Sequence, residues 1–186
     1  DCQYVGGISG YNTGRIEECK LKSGANVYGL GYVGGIAGYS LSDGSASIDG
    51  GLALMVLNCS TETNTLVNKK KDTEAGLNYY GGICGCTNLN IEGCTSNSNV
   101  KISAGYYIGG VVGYVNTGVT VKSCSFDNNT VETGYYYVGG IAGYVLGNVQ
   151  DCTLGSQGKV TYTGSASTGS PNLGGIAGYG ASGSTI

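Results

Sequence analysis

Cysteine and tyrosine are the residue types with chemistry to offer here, eight of the first and 16 of the second in 186 residues. Thiols hold metal ions, cycle between redox states, pair as disulfides or pack as small hydrophobes. Cys84 and Cys86 stand in a C-x-C spacing, but the chain has no histidine and no second cysteine knuckle to complete a zinc site. No metal and no cofactor is expected. Five other cysteines obey one rule: Cys19, Cys59, Cys94, Cys124 and Cys152 each follow an Ile or Val by three positions (Ile16, Val56, Ile91, Val121 and Val149). If those positions lie on neighbouring strands, their Cα atoms fall in the range a disulfide accepts, and rung-to-rung bridges are one reading. A ladder of reduced thiols filling a core is the other. Both stay open at this level.

Catalysis finds no constellation. Glu17 and Glu92 share the position two before a ladder cysteine, but the other coils do not repeat it and no histidine supplies a base. Polysaccharide-cleaving β-helices cluster their carboxylates, whereas the acids here are scattered, so no catalytic residue is expected. The tyrosines fall into two equivalent sets, Tyr11, Tyr39, Tyr114, Tyr144 and Tyr179, and Tyr4, Tyr32, Tyr79, Tyr107 and Tyr137. Rings stacked rung on rung are stabilising in themselves; where exposed, they offer apolar faces with hydroxyl handles to a sugar or a protein. An ice-binding face would need a regular Thr-x-Thr array, and Thr161-Tyr162-Thr163 is the one clear instance.

What must position these residues is a repeat. The stretch YVGGIAGY at Tyr32–Tyr39 recurs at Tyr4–Tyr11, Tyr107–Tyr114 and Tyr137–Tyr144, and more loosely at Tyr79–Cys86 and Asn172–Tyr179. Its first paired glycines are Gly6, Gly34, Gly81, Gly109, Gly139 and Gly174, spaced 28, 47, 28, 30 and 35 residues apart. From anchor glycine to ladder cysteine is 13, 25, 13, 15 and 13 residues, and from cysteine to the next anchor 15, 22, 15, 15 and 22. The core unit is therefore 28 residues, and each departure is an insertion at one of two places. Periods of this length mark stacked repeat architectures.

Short β-branched segments between Gly and Asn turns, with no helical periodicity, predict about three strands per coil. The expected fold is all-β: a single-domain β-helix or solenoid over residues 1–186, right-handed, with about six coils. Insertions 40–51, 69–75 and 165–171 should be surface loops. Ile8, Ile36, Ile83, Val111, Ile141 and Ile176 occupy one equivalent site and should form an aliphatic stack. Glycine at three of six positions in VGGIAG permits a tight bend, a positive φ or close approach of backbones.

Composition narrows the partners. With 11% charged residues and a net charge of -3 there is no basic face for nucleic acid or anionic lipid. The basic run Lys69–Lys71 reads as a solvated loop. The best apolar run, Leu52–Leu57, is too short to span a bilayer. No signal segment opens the chain, and it starts and stops inside the pattern, so excision from a longer array is expected.

The unit C-x(n)-Y-V-G-G-I-A-G-Y-x(n)-I-x-x-C resembles the GLUG motif repeat, over nearly the whole chain. Cys84 and Cys86 mark a departure at the third core. Such repeats occur in bacterial surface and secreted proteins, including regions before the catalytic domain of some immunoglobulin A peptidases. The resemblance implies an extracellular location, cell-surface or secreted, a β-solenoid role in adhesion or display, and no catalytic residues in the repeats. The expected function is thus a structural or adhesive stalk or fibre element. One alternative is an adhesin domain binding host glycan or protein through exposed tyrosine ladders. Another is a subunit that stacks head to tail on itself into a filament.

Overall fold

The computed structural model describes residues 3–42, 53–69, 78–102, 106–127, 130–133, 136–163 and 171–186. Their regular structure is strand throughout, with no helix among the described residues. The first repeat lays down β1 (Tyr4–Gly6), β2 (Ser9–Asn12), β3 (Ile16–Glu17), β4 (Lys20–Leu21) and β5 (Asn26–Gly29). The same order then recurs along the chain. Equivalent strands pair in parallel, giving two sheets of six strands and three of five. This is a β-solenoid.

Register follows the sequence repeat without slippage. Tyr32 pairs with Tyr4 on one side and Tyr79 on the other, and Val67 with Val27 and Val100. The column continues through Val131 to Val160, one valine per rung. Because the side-chain period of a strand is two, this register fixes which residues face inward in every repeat at once.

Five short strands per repeat replace the expected three, and local sequence explains why. A Gly-Ile step separates β1 from β2. A corner separates β3 from β4, where Glu18, Asn58, Ser123 and Asp151 take φ of 53°, 50°, 51° and 52° and Gly93 takes 63°. Each of these residues immediately precedes a ladder cysteine, so the third position of the I-x-x-C element is a left-handed bend. Asn, Asp and Gly tolerate that bend best; Glu18 and Ser123 adopt it too.

The glycines of VGGIAG act by close approach, not by positive φ, which none of them has. A methyl on Gly109 would overlap the Val112 carbonyl oxygen and lie 2.6 Å from the Ile141 oxygen one rung away. On its neighbour Gly110, a methyl would lie 2.5 Å from the Phe126 ring, which crosses the interior against that glycine.

The core is a set of columns. Ile36, Ile83, Val111 and Ile141 are fully buried, and a backbone hydrogen bond joins each to the next at 2.9 or 3.0 Å. Ile8, in the first rung and covered on one side only, remains 47% exposed, which departs from uniform burial of the stack. Two expected loop limits shift by a residue: Ser40 is the fully buried last residue of the strand Ala37–Ser40, and Lys69 ends the strand Leu66–Lys69. Leu41, Ser42 and Pro171 lie outside strands, and the rest of 40–51, 69–75 and 165–171 falls outside the described residues.

Candidate functional site

The turn between the β1-type and β2-type strands brings both tyrosine sets to one edge of the solenoid. In the first set Tyr4–Tyr32, Tyr32–Tyr79, Tyr79–Tyr107 and Tyr107–Tyr137 stack at 5.0, 4.6, 5.0 and 5.5 Å, with planes within 19° of parallel. In the second, Tyr114–Tyr144 and Tyr144–Tyr179 stack at 5.2 and 4.8 Å. The two sets meet edge to face, as in Tyr107–Tyr114 at 5.1 Å and 80°. A further pair, Tyr106–Tyr136, stacks at 5.4 Å beside the first set. Ring faces are therefore spent on neighbouring rings. Tyr11 and Tyr179, at 47% and 40% exposure, are the open members of the second set, and its interior rings are half-buried.

The first set gives way to Asn172 at its last rung, and the second is interrupted inside the stack. Cys86 stands where the third repeat should place a tyrosine, in register between Tyr39 and Tyr114. Tyr39 turns from the edge-to-face arrangement of its equivalents and lies 20° from parallel to Tyr32. Its hydroxyl donates to Asn88 Oδ1 at 2.9 Å, and Asn116 Nδ2 donates to the same oxygen at 2.8 Å and to Cys86 Sγ at 3.4 Å. Cys86 is left 4% exposed. Burial pushes the Tyr39 phenol up to about 12 and raises the Cys86 thiol as well. Nearby Cys84 is sealed in the core, where burial raises it to about 12.

The third repeat differs inside as well. Tyr80 occupies the column of Val33 and Ile108, fully buried, with its hydroxyl donating to the Gly29 carbonyl at 3.1 Å. Two positions past the ladder cysteine, where other rungs carry Leu21, Phe126 or Leu154, repeats two and three carry the buried Thr61 and Ser96. The Thr61 hydroxyl accepts the Asn97 N–H at 3.1 Å, whereas the Ser96 hydroxyl has no partner. The larger Tyr80 ring enters the core at the rungs where this column is smallest. No spacing rule in the sequence marks the exchange.

The five ladder cysteines do stack. Ser60 N donates to the Cys19 carbonyl, Thr95 N to Cys59, Ser125 N to Cys94 and Thr153 N to Cys124, at 2.9–3.0 Å. Cys59, Cys94 and Cys124 are buried, while Cys19 and Cys152 at the two ends of the column are half-buried. All seven described cysteines carry free thiols. Within the column the S–H groups of Cys59, Cys94, Cys124 and Cys152 donate to the carbonyl two residues back, at 3.2–3.4 Å. Their sulfurs lean towards the preceding rung: Cys94 Sγ accepts the Cys59 N–H, and Cys152 Sγ the Cys124 N–H, both at 3.4 Å. Hydrogen bonds to Cys124 and Cys59, and then burial, raise the Cys94 thiol.

Glu17 and Glu92, both among the described residues, are not brought together. Glu17 and Glu92 flank Leu57 on successive rungs of one sheet, which sets their backbones about 9.6 Å apart. Glu17 accepts a 2.8 Å hydrogen bond from Arg15 Nε, which lowers its carboxyl, the opposite of what a general acid needs. Glu62, absent from the sequence reading, accepts the Ser23 N–H and pairs with Lys22 and Lys20 at 3.1 and 3.2 Å; these contacts, the backbone one foremost, hold its carboxyl at about 2. Among the described residues no group of three or more His, Cys, Asp or Glu side chains is placed to hold a metal ion. An apolar recess lined by Leu154, Val160, Leu173, Gly174 and Gly175 opens at the last rung.

No family model and no curated protein matches the chain. Among solved structures it is similar to the crystal structure of "a putative immunoglobulin A1 protease" from Bacteroides ovatus, at 23% sequence identity and a TM-score of 0.60. The match covers 99% of this chain and 56% of the other, so the chain spans little more than half of that protein's length. At this identity the likeness establishes a shared solenoid fold and no more.

Proposed function

We propose that the chain is a structural repeat module of an extracellular surface or secreted protein, a stiff stalk or fibre element without catalysis of its own. The observation that carries this reading is the consumption of side chains by the stack itself. Ring faces in the tyrosine band and aliphatic groups in the core are engaged by like residues one rung away, and the thiols of the cysteine column are taken up by backbone hydrogen bonds. A coil that interacts chiefly with its neighbours adds length without redesign, which suits a spacer. The resemblance to GLUG repeats and the immunoglobulin A1 protease designation of the structural neighbour support a surface or secreted setting. Within such a protein the solenoid holds another part away from the cell.

The test is direct. Incubated with immunoglobulin A1 and with a polysaccharide panel, the purified chain is expected to leave all of them intact. Cleavage abolished by one carboxylate substitution would overturn the non-catalytic reading. An adhesin reading has its own support in the edges and hydroxyls of the half-exposed tyrosine band. It predicts a glycan-array or host-protein signal that is lost in Tyr11→Ala and Tyr179→Ala, whereas a pure spacer gives no such signal. A head-to-tail filament reading would use the apolar recess lined by Leu154, Val160 and Leu173 as its contact. Light scattering at rising concentration separates a monomer from lengthening filaments.

A further inference from the structure

We propose that the tyrosine band is a relay for one-electron oxidising equivalents along the solenoid, with Tyr79 as the ring through which its two parts exchange them.

Three observations lead there. First, one file of rings is continuous. Tyr32, Tyr79, Tyr107 and Tyr137 follow one another at 4.6, 5.0 and 5.5 Å, with planes within 13° of parallel. Rings in offset contact of this kind put their π systems against each other at every step. Second, the other file is cut. Cys86 holds the place between Tyr39 and Tyr114, which leaves their strands two rungs, about 9.6 Å, apart. Tyr39 lies instead against Tyr32 at 5.1 Å, and Tyr114 meets Tyr79 at 5.5 Å and Tyr107 at 5.1 Å. Among the described residues, the ring contacts that join Tyr32 and Tyr39 to Tyr107, Tyr114 and Tyr144 therefore pass through Tyr79. Third, the file is open to an oxidant in solvent. Its four rings are half-buried and not sealed, and the chain has no tryptophan to intercept a radical.

The chemistry balances at each step. A solvent radical of the azidyl or carbonate class takes one electron from a phenol and becomes its anion. The phenol proton passes to water and leaves a neutral tyrosyl radical. The next ring then gives up one electron and one proton, while the first ring regains both and is a phenol again. Donor and product of a hop are the same chemical group, so no large driving force opposes it. The equivalent moves lengthwise until it meets a better donor, and the ring first struck is restored. This activity goes beyond the spacer reading and does not depend on it.

The experiment uses the full chain with Tyr144→Trp as the one indole and dihydroxyphenylalanine in place of Tyr32 as a more easily oxidised sink. Pulse-generated azidyl radicals oxidise the indole, and transient absorption follows the indolyl radical and the semiquinone. Indolyl decay and semiquinone growth are expected to share a phase whose rate does not depend on protein concentration. Adding Tyr79→Phe should remove or slow that phase, because a tyrosyl radical does not oxidise phenylalanine and the equivalent must then cross two rungs at once. Adding Tyr39→Phe, which lies off the route, should leave the phase unchanged. If Tyr144→Trp does not fold by circular dichroism, Tyr114→Trp supplies the indole, since that ring touches both Tyr79 and Tyr107. Absence of a concentration-independent phase in the parent chain, or its survival at the same rate with Tyr79→Phe, overturns the proposal.

Discussion

Replacing Gly109 with alanine isolates the close approach that shapes every repeat. The added methyl would overlap the Val112 carbonyl oxygen and lie 2.6 Å from the Ile141 oxygen. Both are backbone atoms, so neither can swing aside as a side chain would. Relief requires opening the Gly-Gly step, and that strains the hydrogen bonds from Val111 N and Val112 N to the Ile141 oxygen, at 3.0 and 2.9 Å. Overpacking costs about 1–3 kcal/mol and each compromised hydrogen bond about 1 kcal/mol, so Gly109→Ala should destabilise by roughly 3–5 kcal/mol. Gly118→Ala is the control. Gly118 has a φ of 77° with nothing within 4 Å of the added methyl, so its cost is the left-handed penalty alone, about 1–2 kcal/mol. Urea denaturation followed by circular dichroism compares the two, with midpoints read at equal slope. If Gly109→Ala is no worse than Gly118→Ala, contact between rungs is not what requires glycine there.

Ile141→Asp places an unpaired charge in a fully buried column and should cost about 3 kcal/mol or more; an unchanged melting curve would count against that burial. Glu62 has a folded-state carboxyl near 2 against an ordinary 4.5. Its contribution is complete above about 4.5 and fades as pH falls through about 2; in Glu62→Gln the acid limb of the stability profile should flatten over that window. The Tyr39 phenol, raised to about 12 by burial, should ionise after the exposed tyrosines in an ultraviolet pH titration. Tyr39→Phe should reduce the amplitude of the late phase, to which Tyr79 and Tyr80, raised by burial as well, also contribute, and, by deleting the bond to Asn88, uncover Cys86 to alkylation.

Much of this was legible because a solenoid repeats its physics along with its letters. The anchors at Gly34 and Gly109 predicted strands that pair in register. Equivalence of the tyrosines and cysteines became adjacency in space. What escaped were features written in unlike residues. The corner before each ladder cysteine is Glu, Asn, Gly, Ser or Asp, and only its backbone is repeated. The valine column from Val27 to Val160 sits in the least patterned part of each unit. Tyr80, Cys86 and Ser96 break the letters of the third repeat, and their compensation runs between rungs, where no reading along the chain can follow it. Tyrosine exposure was equally hidden, since a ring's environment depends on the rung above and below.

The separation between paired rungs has a consequence for how such a chain varies. Each rung closes on the one before it across 28 to 47 residues, however many rungs the stack contains. Closure entropy grows only with the logarithm of that separation, so the 47-residue connection costs about 0.5 kcal/mol more than the 28-residue one. A polymer under this rule can accept long insertions between its strands at almost no thermodynamic cost, provided the hydrogen-bonded segments keep their length. Diversity can accumulate between anchors that themselves stay fixed, and growth by whole rungs leaves the closure term per rung unchanged.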